Sequence, residues 1–127
     1  MAIFVVHEHH ARKLHWDLRL EMQGVLKSWA VPKEPPLDEK TKRLAVQTED
    51  HPLEYASFEG EIKEGYGKGI VKIWDNGNYE LLKKTDKEIK VKFEGKKLKG
   101  TYVLLRFPKA DKGEQKAWLF FKAKKQE

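Results

Sequence analysis

Apolar and polar residues alternate along most of the chain with a period of two, the signature of strands that pack one face. Ile3 to His10 forms a first extended run. Leu14, Trp16, Leu18 and Leu20 then alternate with His15, Asp17, Arg19 and Glu21, which assigns the first set to a core and the second to the opposite face. A turn at Gln23-Gly24 leads into a strand over 25–31, and Pro32, Pro35 and Pro36 impose a loop after it. Further strands are predicted over 43–49, 69–74, 79–82, 89–93, 101–107 and 117–123. Asp75-Asn76-Gly77-Asn78 reads as the hairpin turn between two of them, and Glu94-Gly95-Lys96 as another. Residues 109–116 read as a polar, mobile loop. Helix is confined to a short stretch over 50–56, with Asp50 as its cap and Pro52 tolerated in the first turn. That helix would put His51 and Tyr55, four residues apart, on one face. Eight or nine short strands and so little helix predict a mostly β fold. The expected form is a single compact antiparallel β-barrel with minor short helices, closed so that no edge is left open, with residues 1–127 as one domain.

Composition narrows the chemistry. The 127 residues include no cysteine, which excludes a disulfide scaffold, a thiolate zinc site and a cysteine nucleophile, and fits a cytoplasmic location. No apolar run approaches the ~20 residues of a membrane helix, and residues 2–6 are too short for a signal-peptide core. The net charge of +6 is unevenly distributed. Residues 1–64 carry 9 basic and 12 acidic side chains, whereas residues 65–127 carry 17 and 8. A basic half suits a polyanionic partner, because each neutralised phosphate releases counterions. A solubilising lysine surface explains the same excess.

Four of the five histidines are His7, His9, His10 and His15, followed closely by Asp17 and Arg19. On a strand His15, Asp17 and Arg19 share one face. Residues 11–13 are short enough to fold the chain back, which would bring His9 beside His15 and Asp17. Two imidazoles and one carboxylate make a metal site with vacant positions, able to polarise a phosphoryl oxygen or to acidify a water. Arg19 is suited to a bidentate grip on phosphate. His7 reads as a ligand, a hydrogen-bonding neighbour of the ligands or a phosphate contact, and His10 as a packing or supporting residue. Lys33 sits in the proline-bracketed loop. Arg43 and Glu49, on one strand face, read as a phosphate contact and a supporting carboxylate, or as a surface ion pair of little worth. His51 and Tyr55 supply donors from a second element. The glycines of Glu64-Gly65-Tyr66-Gly67-Lys68-Gly69 lack phosphate-loop spacing and read as a turn with close backbone approach.

These residues stand in strings that resemble a known family. FVVHEHHARKLHWDLRLEMQGVLKSWAVPKEP (4–35), KRLAVQTEDHPLEYASFEGEI (42–62), GYGKGIVKIWDNGNYE (65–80) and, more weakly, AWLFFKAKK (117–125) are similar to the 3′-phosphoesterase domain of DNA ligase D. The length fits a stand-alone version of it. The resemblance implies a β-barrel enzyme that depends on one divalent metal, manganese first, with zinc or cobalt accommodated by the same ligands. It implies action on DNA or RNA–DNA 3′ ends of primer-templates in end joining, beside a ligase or polymerase, by a monomer with no membrane association. Carried over by position, His9, His15 and Asp17 match the metal ligands. Arg19, His51 and Tyr55 match the groups around the scissile phosphate, and Lys33, Arg43 and Glu49 match further residues needed for activity. His7 stands where glutamine is usual, and Glu34 where a glycine follows the lysine. Only three residues precede Phe4, where many members carry an arm, so 3′-phosphate removal is expected ahead of 3′-ribonucleoside removal. A basic barrel that binds nucleic acid without chemistry, and a hydrolase of small phosphoesters, are the competing expectations.

Overall fold

A computed structural model describes residues 2–65 and 67–124. Tyr66 and Lys125, which belong to two of the family-like strings, lie outside the described residues. Nine strands form one sheet: β1 (Ala2–His10), β2 (Leu14–Met22), β3 (Val25–Val31), β4 (Lys42–Pro52), β5 (Gly60–Ile62), β6 (Gly69–Lys84), β7 (Glu88–Glu94), β8 (Lys99–Arg106) and β9 (Ala117–Lys122). The order is β1-β2-β3-β4-β9-β8-β7-β6-β5, and β1 also pairs with β6. That last pairing closes eight strands into an antiparallel barrel, as the alternating pattern predicted, and leaves outside the ring β5, a strand the pattern did not predict. Among the described residues helix is limited to two 3₁₀ turns, Leu53–Ser57 and Pro108–Ala110. No helix among the described residues is long and apolar enough to cross a membrane.

The interior is filled by side chains from all round the ring, including Phe4, Leu18, Leu20, Trp29, Tyr79, Phe93, Tyr102 and Phe120. Leu14 departs from the predicted core set. It lies opposite His10 beside the β1–β2 turn and is exposed. The β2–β3 hairpin turns at Gln23 and Gly24, both with positive φ, the paired left-handed residues of a two-residue hairpin turn. Arg106 and Asp111 pair through two contacts of 2.9 Å, and Asp111 also accepts the Ala117 N–H. Asp111 thus ties the loop over 109–116 to β8 and β9.

One prediction is overturned. Asp75-Asn76-Gly77-Asn78 is not a hairpin turn; it lies inside the continuous 16-residue strand β6. Tertiary contacts override the local turn preference. The buried Asp75 carboxylate accepts N–H bonds from Asn76, Lys96, Lys97 and Leu98 at 2.7–3.0 Å, so it organises the β7–β8 turn instead of its own. Gly77 lets the strand pass close to the Glu94 carbonyl, where a Cβ would collide. Asp75→Ala is expected to cost about 3 kcal/mol in denaturant unfolding, because several backbone donors lose a charged acceptor together. An unchanged midpoint would show that the turn holds itself.

Candidate active site

The site lies on the outer wall of the barrel. Side chains alternate along β1, so Phe4 and Val6 enter the core while Val5, His7 and His9 face outward. The same rule turns Asp17 and Arg19 outward from β2 and Ser28 outward from β3. The outer face is not solvated as its polarity suggested. His7, His9, Asp17, Arg19 and Ser28 are all buried. The chain between β4 and β6 lies over them: the Tyr55 ring packs on Arg19, and the Phe58 and Gly67 carbonyls reach His7 and His9.

The register of the β1–β2 hairpin sets His9 opposite His15 and His7 opposite Asp17. His9, His15 and Asp17 each direct one potential ligand atom to a common point, all within 4.8 Å of one another. Backbone carbonyls select the tautomers. The Nε2–H of His9 donates to the Gly67 carbonyl at 2.7 Å, and the Nδ1–H of His15 donates to the Lys13 carbonyl at 3.0 Å. Each ring therefore turns its other nitrogen inward. His9 Nδ1 and His15 Nε2 stand 3.2 Å apart, with Asp17 Oδ2 at 3.6 and 3.3 Å from them. Such a set of lone pairs requires a positive charge at its centre. The carboxylate hydrogen bond raises the His15 pKa above its ordinary value. Burial alone would raise Asp17, but the His15 and His9 rings against it and the charge of Arg19 hold it well below the usual carboxylate range. Two neutral imidazoles fixed by carbonyl acceptors, plus one ionised carboxylate, fit a divalent cation with open positions. Gly67 places its carbonyl with φ +95°, a conformation that favours glycine.

Arg19 is the second centre. Its Nε–H donates to His7 Nδ1 at 3.0 Å, Nη1 reaches Ser28 Oγ at 2.8 Å and His51 Nδ1 at 3.1 Å, and Nη2 reaches Asp17 Oδ2 at 3.3 Å. Four of the five N–H groups of a guanidinium are thus committed, so the bidentate phosphate grip expected of Arg19 is not on offer; one Nη2–H remains. His7 is neutral, its pKa lowered to about 4 by burial and by the Arg19 charge. It donates from Nε2 to the Phe58 carbonyl at 3.1 Å and so ties the covering segment to Arg19. Burial and Arg19 also lower His51. His51 Nδ1 lies 3.1 Å from both Arg19 Nη1 and the Glu49 carbonyl, so it accepts from the guanidinium when bare and donates to the carbonyl when protonated, while Nε2 has no partner among the described residues. The Tyr55 ring stacks between His51 at 4.9 Å and Phe58 at 5.1 Å.

His51 reaches this face by a route the sequence pattern did not suggest. β4 runs on to Pro52, and Asp50 caps no helix but pairs with Lys27 at 2.9 Å. Ser28 pairs with Thr48 while Leu26 pairs with His51, so β4 holds one residue more than β3 across that interval. This bulge reverses the side-chain alternation and turns His51 outward. The other candidates stay apart from the cluster. His10 is exposed and pairs with Glu8 at 2.5 Å, so it neither packs nor supports a ligand. Lys33 is exposed in its loop. Arg43 shares the face of the core residue Ala45 and donates to the Glu34 carbonyl at 2.8 Å. The Glu49 side chain is exposed at the bulge. The lysine-rich strand β7 lies three strands from β2 around the ring. Ser28 and the Lys13, Phe58 and Gly67 carbonyls were missed. Ser28 alone was accessible, since a two-residue turn at Gln23-Gly24 places it opposite Arg19.

Comparison with known proteins places the sequence in a family. A family model described as the DNA Ligase D 3′-phosphoesterase domain matches residues 7–106. The Mycobacterium tuberculosis multifunctional non-homologous end joining DNA repair protein LigD is 52% identical over 108 residues, covering 81% of this chain and 14% of that protein. The Pseudomonas aeruginosa multifunctional non-homologous end joining protein LigD is 46% identical over 127 residues, covering 95% of the chain and 15% of the relative. The Mycolicibacterium smegmatis protein of that name is 47% identical over 135 residues, covering 97% and 17%. The chain thus spans about one-sixth of the length of these relatives. The match runs through the histidine hairpin, the covering segment and most of the barrel, and the chain belongs to the DNA ligase D 3′-phosphoesterase domain family.

Proposed function

We propose that the chain is a metal-dependent phosphoesterase that removes the terminal 3′-phosphate from DNA or RNA–DNA primer-template ends in end joining. Removal of a 3′ ribonucleoside at the same site is its second activity. It works in the cytoplasm as a monomer, beside a ligase or polymerase of end joining, the process that the names of its relatives give. The observation that carries the reading is the convergence of His9, His15 and Asp17 on one point, with Arg19 on the same carboxylate.

His9, His15 and Asp17 would hold the cation, manganese first, with zinc or cobalt as substitutes; when bound it supplies Lewis-acid polarisation of a phosphoryl oxygen. The chain's own groups do the rest. The remaining Nη2–H of Arg19 donates to a non-bridging oxygen and Nε2 of His51 faces the sugar 3′-oxygen, and both side chains are held in place before the substrate arrives. A phosphate dianion offsets the effect of Arg19 on His51 and draws a proton onto its ring. A water attacks phosphorus, the bond from phosphorus to the sugar 3′-oxygen breaks, and His51 gives its Nε2 proton to the departing oxygen. Tyr55 and Phe58 cover Arg19 and His7 and keep bulk water from them. Lys33 and Arg43 act at a distance from the reacting phosphate, on the rest of the nucleic acid, and Glu49 supports His51, whose Nδ1 lies 3.1 Å from the Glu49 carbonyl.

The test is a 3′-phosphate primer-template incubated with a panel of divalent ions. Phosphate release is expected with manganese, to fall to background with chelator, and to be absent from His9→Ala with every ion. Release without metal, or an active His9→Ala, would refute the reading. Equal turnover of an aryl phosphate would reassign the site to small phosphoesters.

A further inference from the structure

The string Asp75-Asn76-Gly77-Asn78 has a use that turn formation does not explain. Asp75 and Gly77 serve the fold, through the β7–β8 turn and the close pass by Glu94. Asn76 and Asn78 do neither. They project from the outer face of β6 and are exposed, at strand positions where asparagine is a poor choice. Among the described residues their carboxamides have no hydrogen-bond partner.

Both line a recess of about 390 Å³ on the outer wall, together with Ile3, Ile73, Ala56 and Ser57. Its volume falls within the ~300–1,000 Å³ of small-molecule clefts. The register places Ile73 opposite His7, Asn76 opposite Val5 and Asn78 opposite Ile3. The recess therefore continues the outward row of β1 that carries His7 and His9, and the 3₁₀ turn bearing Tyr55 forms its other side. No charged residue lines it. A phosphate would find no cation there. A flat heterocycle would find apolar contact at Ile3 and Ile73 and two free amides, each able to donate and accept at once, as asparagine does at the N6/N7 edge of adenine.

We propose that this recess seats a nucleobase of the strand whose 3′-phosphate occupies the neighbouring cradle; the proposal rests on the function argued above. It makes Asn76 and Asn78 binding residues that set how well a strand end is held.

Strands with a 3′-phosphate and one abasic site, moved through the last four nucleotides, test this on the wild-type chain and on Asn76→Ala/Asn78→Ala. Binding of the matching unphosphorylated, end-labelled strands, followed by fluorescence anisotropy, gives Kd without turnover. The expected result is one abasic position that weakens wild-type binding about tenfold, a loss of similar size for the double variant on the intact strand, and no further loss when the two are combined. KM should follow Kd while kcat stays within twofold. An unchanged Kd in the double variant, or abasic penalties equal in the two proteins, overturns the proposal and marks the recess as a contact for something other than a base. If no strand releases phosphate yet this pattern of Kd appears, the recess stands and the phosphatase reading falls. Phosphate release without the pattern does the reverse.

Discussion

Asp17→Asn is expected to lower metal affinity by more than 100-fold and phosphate release by at least ~10³, in a chain that still folds. The substitution keeps shape and removes charge. Asp17 Oδ2 is the atom shared by His9, His15 and Arg19, at 3.3–3.6 Å from each. Changing even the groups that support metal ligands costs about 10–100-fold in affinity, and loss of an anionic ligand costs more. An asparagine also leaves the buried Arg19 guanidinium without a counter-charge. Breaking one side of a buried pair costs about 3–5 kcal/mol, moderated here because His7, Ser28 and His51 still accept from Arg19. Calorimetric metal titration and denaturant unfolding check the two effects separately. Wild-type metal affinity would remove Asp17 from the ligand set.

Arg19→Lys should give the second largest effect, with a different signature. The charge is retained and the metal cluster is intact, so metal affinity is expected to stay within about tenfold of wild type. One ammonium cannot reproduce four directed contacts and still present a donor to phosphate. Loss of a donor aimed at the transition state costs about 10²–10³ in kcat. The fall should lie in kcat with little change in KM, because the lost interaction strengthens as charge shifts during reaction. A variant that lost metal instead would show that Arg19 serves mainly to hold Asp17.

The parts of this site that were legible from sequence are those set by hairpin arithmetic. A three-residue turn at 11–13 and a two-residue turn at Gln23-Gly24 fix registers, and registers fix which side chains meet. His9, His15, Asp17 and Arg19 followed from that, and so did the alternating core. Three features did not. The β4 bulge that turns His51 outward leaves no mark in a period-two pattern, and the helix assigned to 50–56 reached the pairing with Tyr55 through the wrong local structure. The carbonyls of Lys13, Phe58 and Gly67 fix imidazole tautomers without any side-chain signature. The β6 string carries strong turn chemistry, yet Asp75 directs it to a neighbouring turn. Resemblance also grouped Lys33, Arg43 and Glu49 with the site, whereas an exposed loop, a backbone carbonyl and the bulge occupy them instead.

Strand β1 has two duties. It is the stave that closes the hoop, through its pairing with β6, and it bears His7 and His9 on its outer side. Any fluctuation that detaches this stave opens the ring and disperses the cluster in the same event. Competence and integrity therefore share one latch, and a loosened form of the protein has no residual chemistry to misdirect.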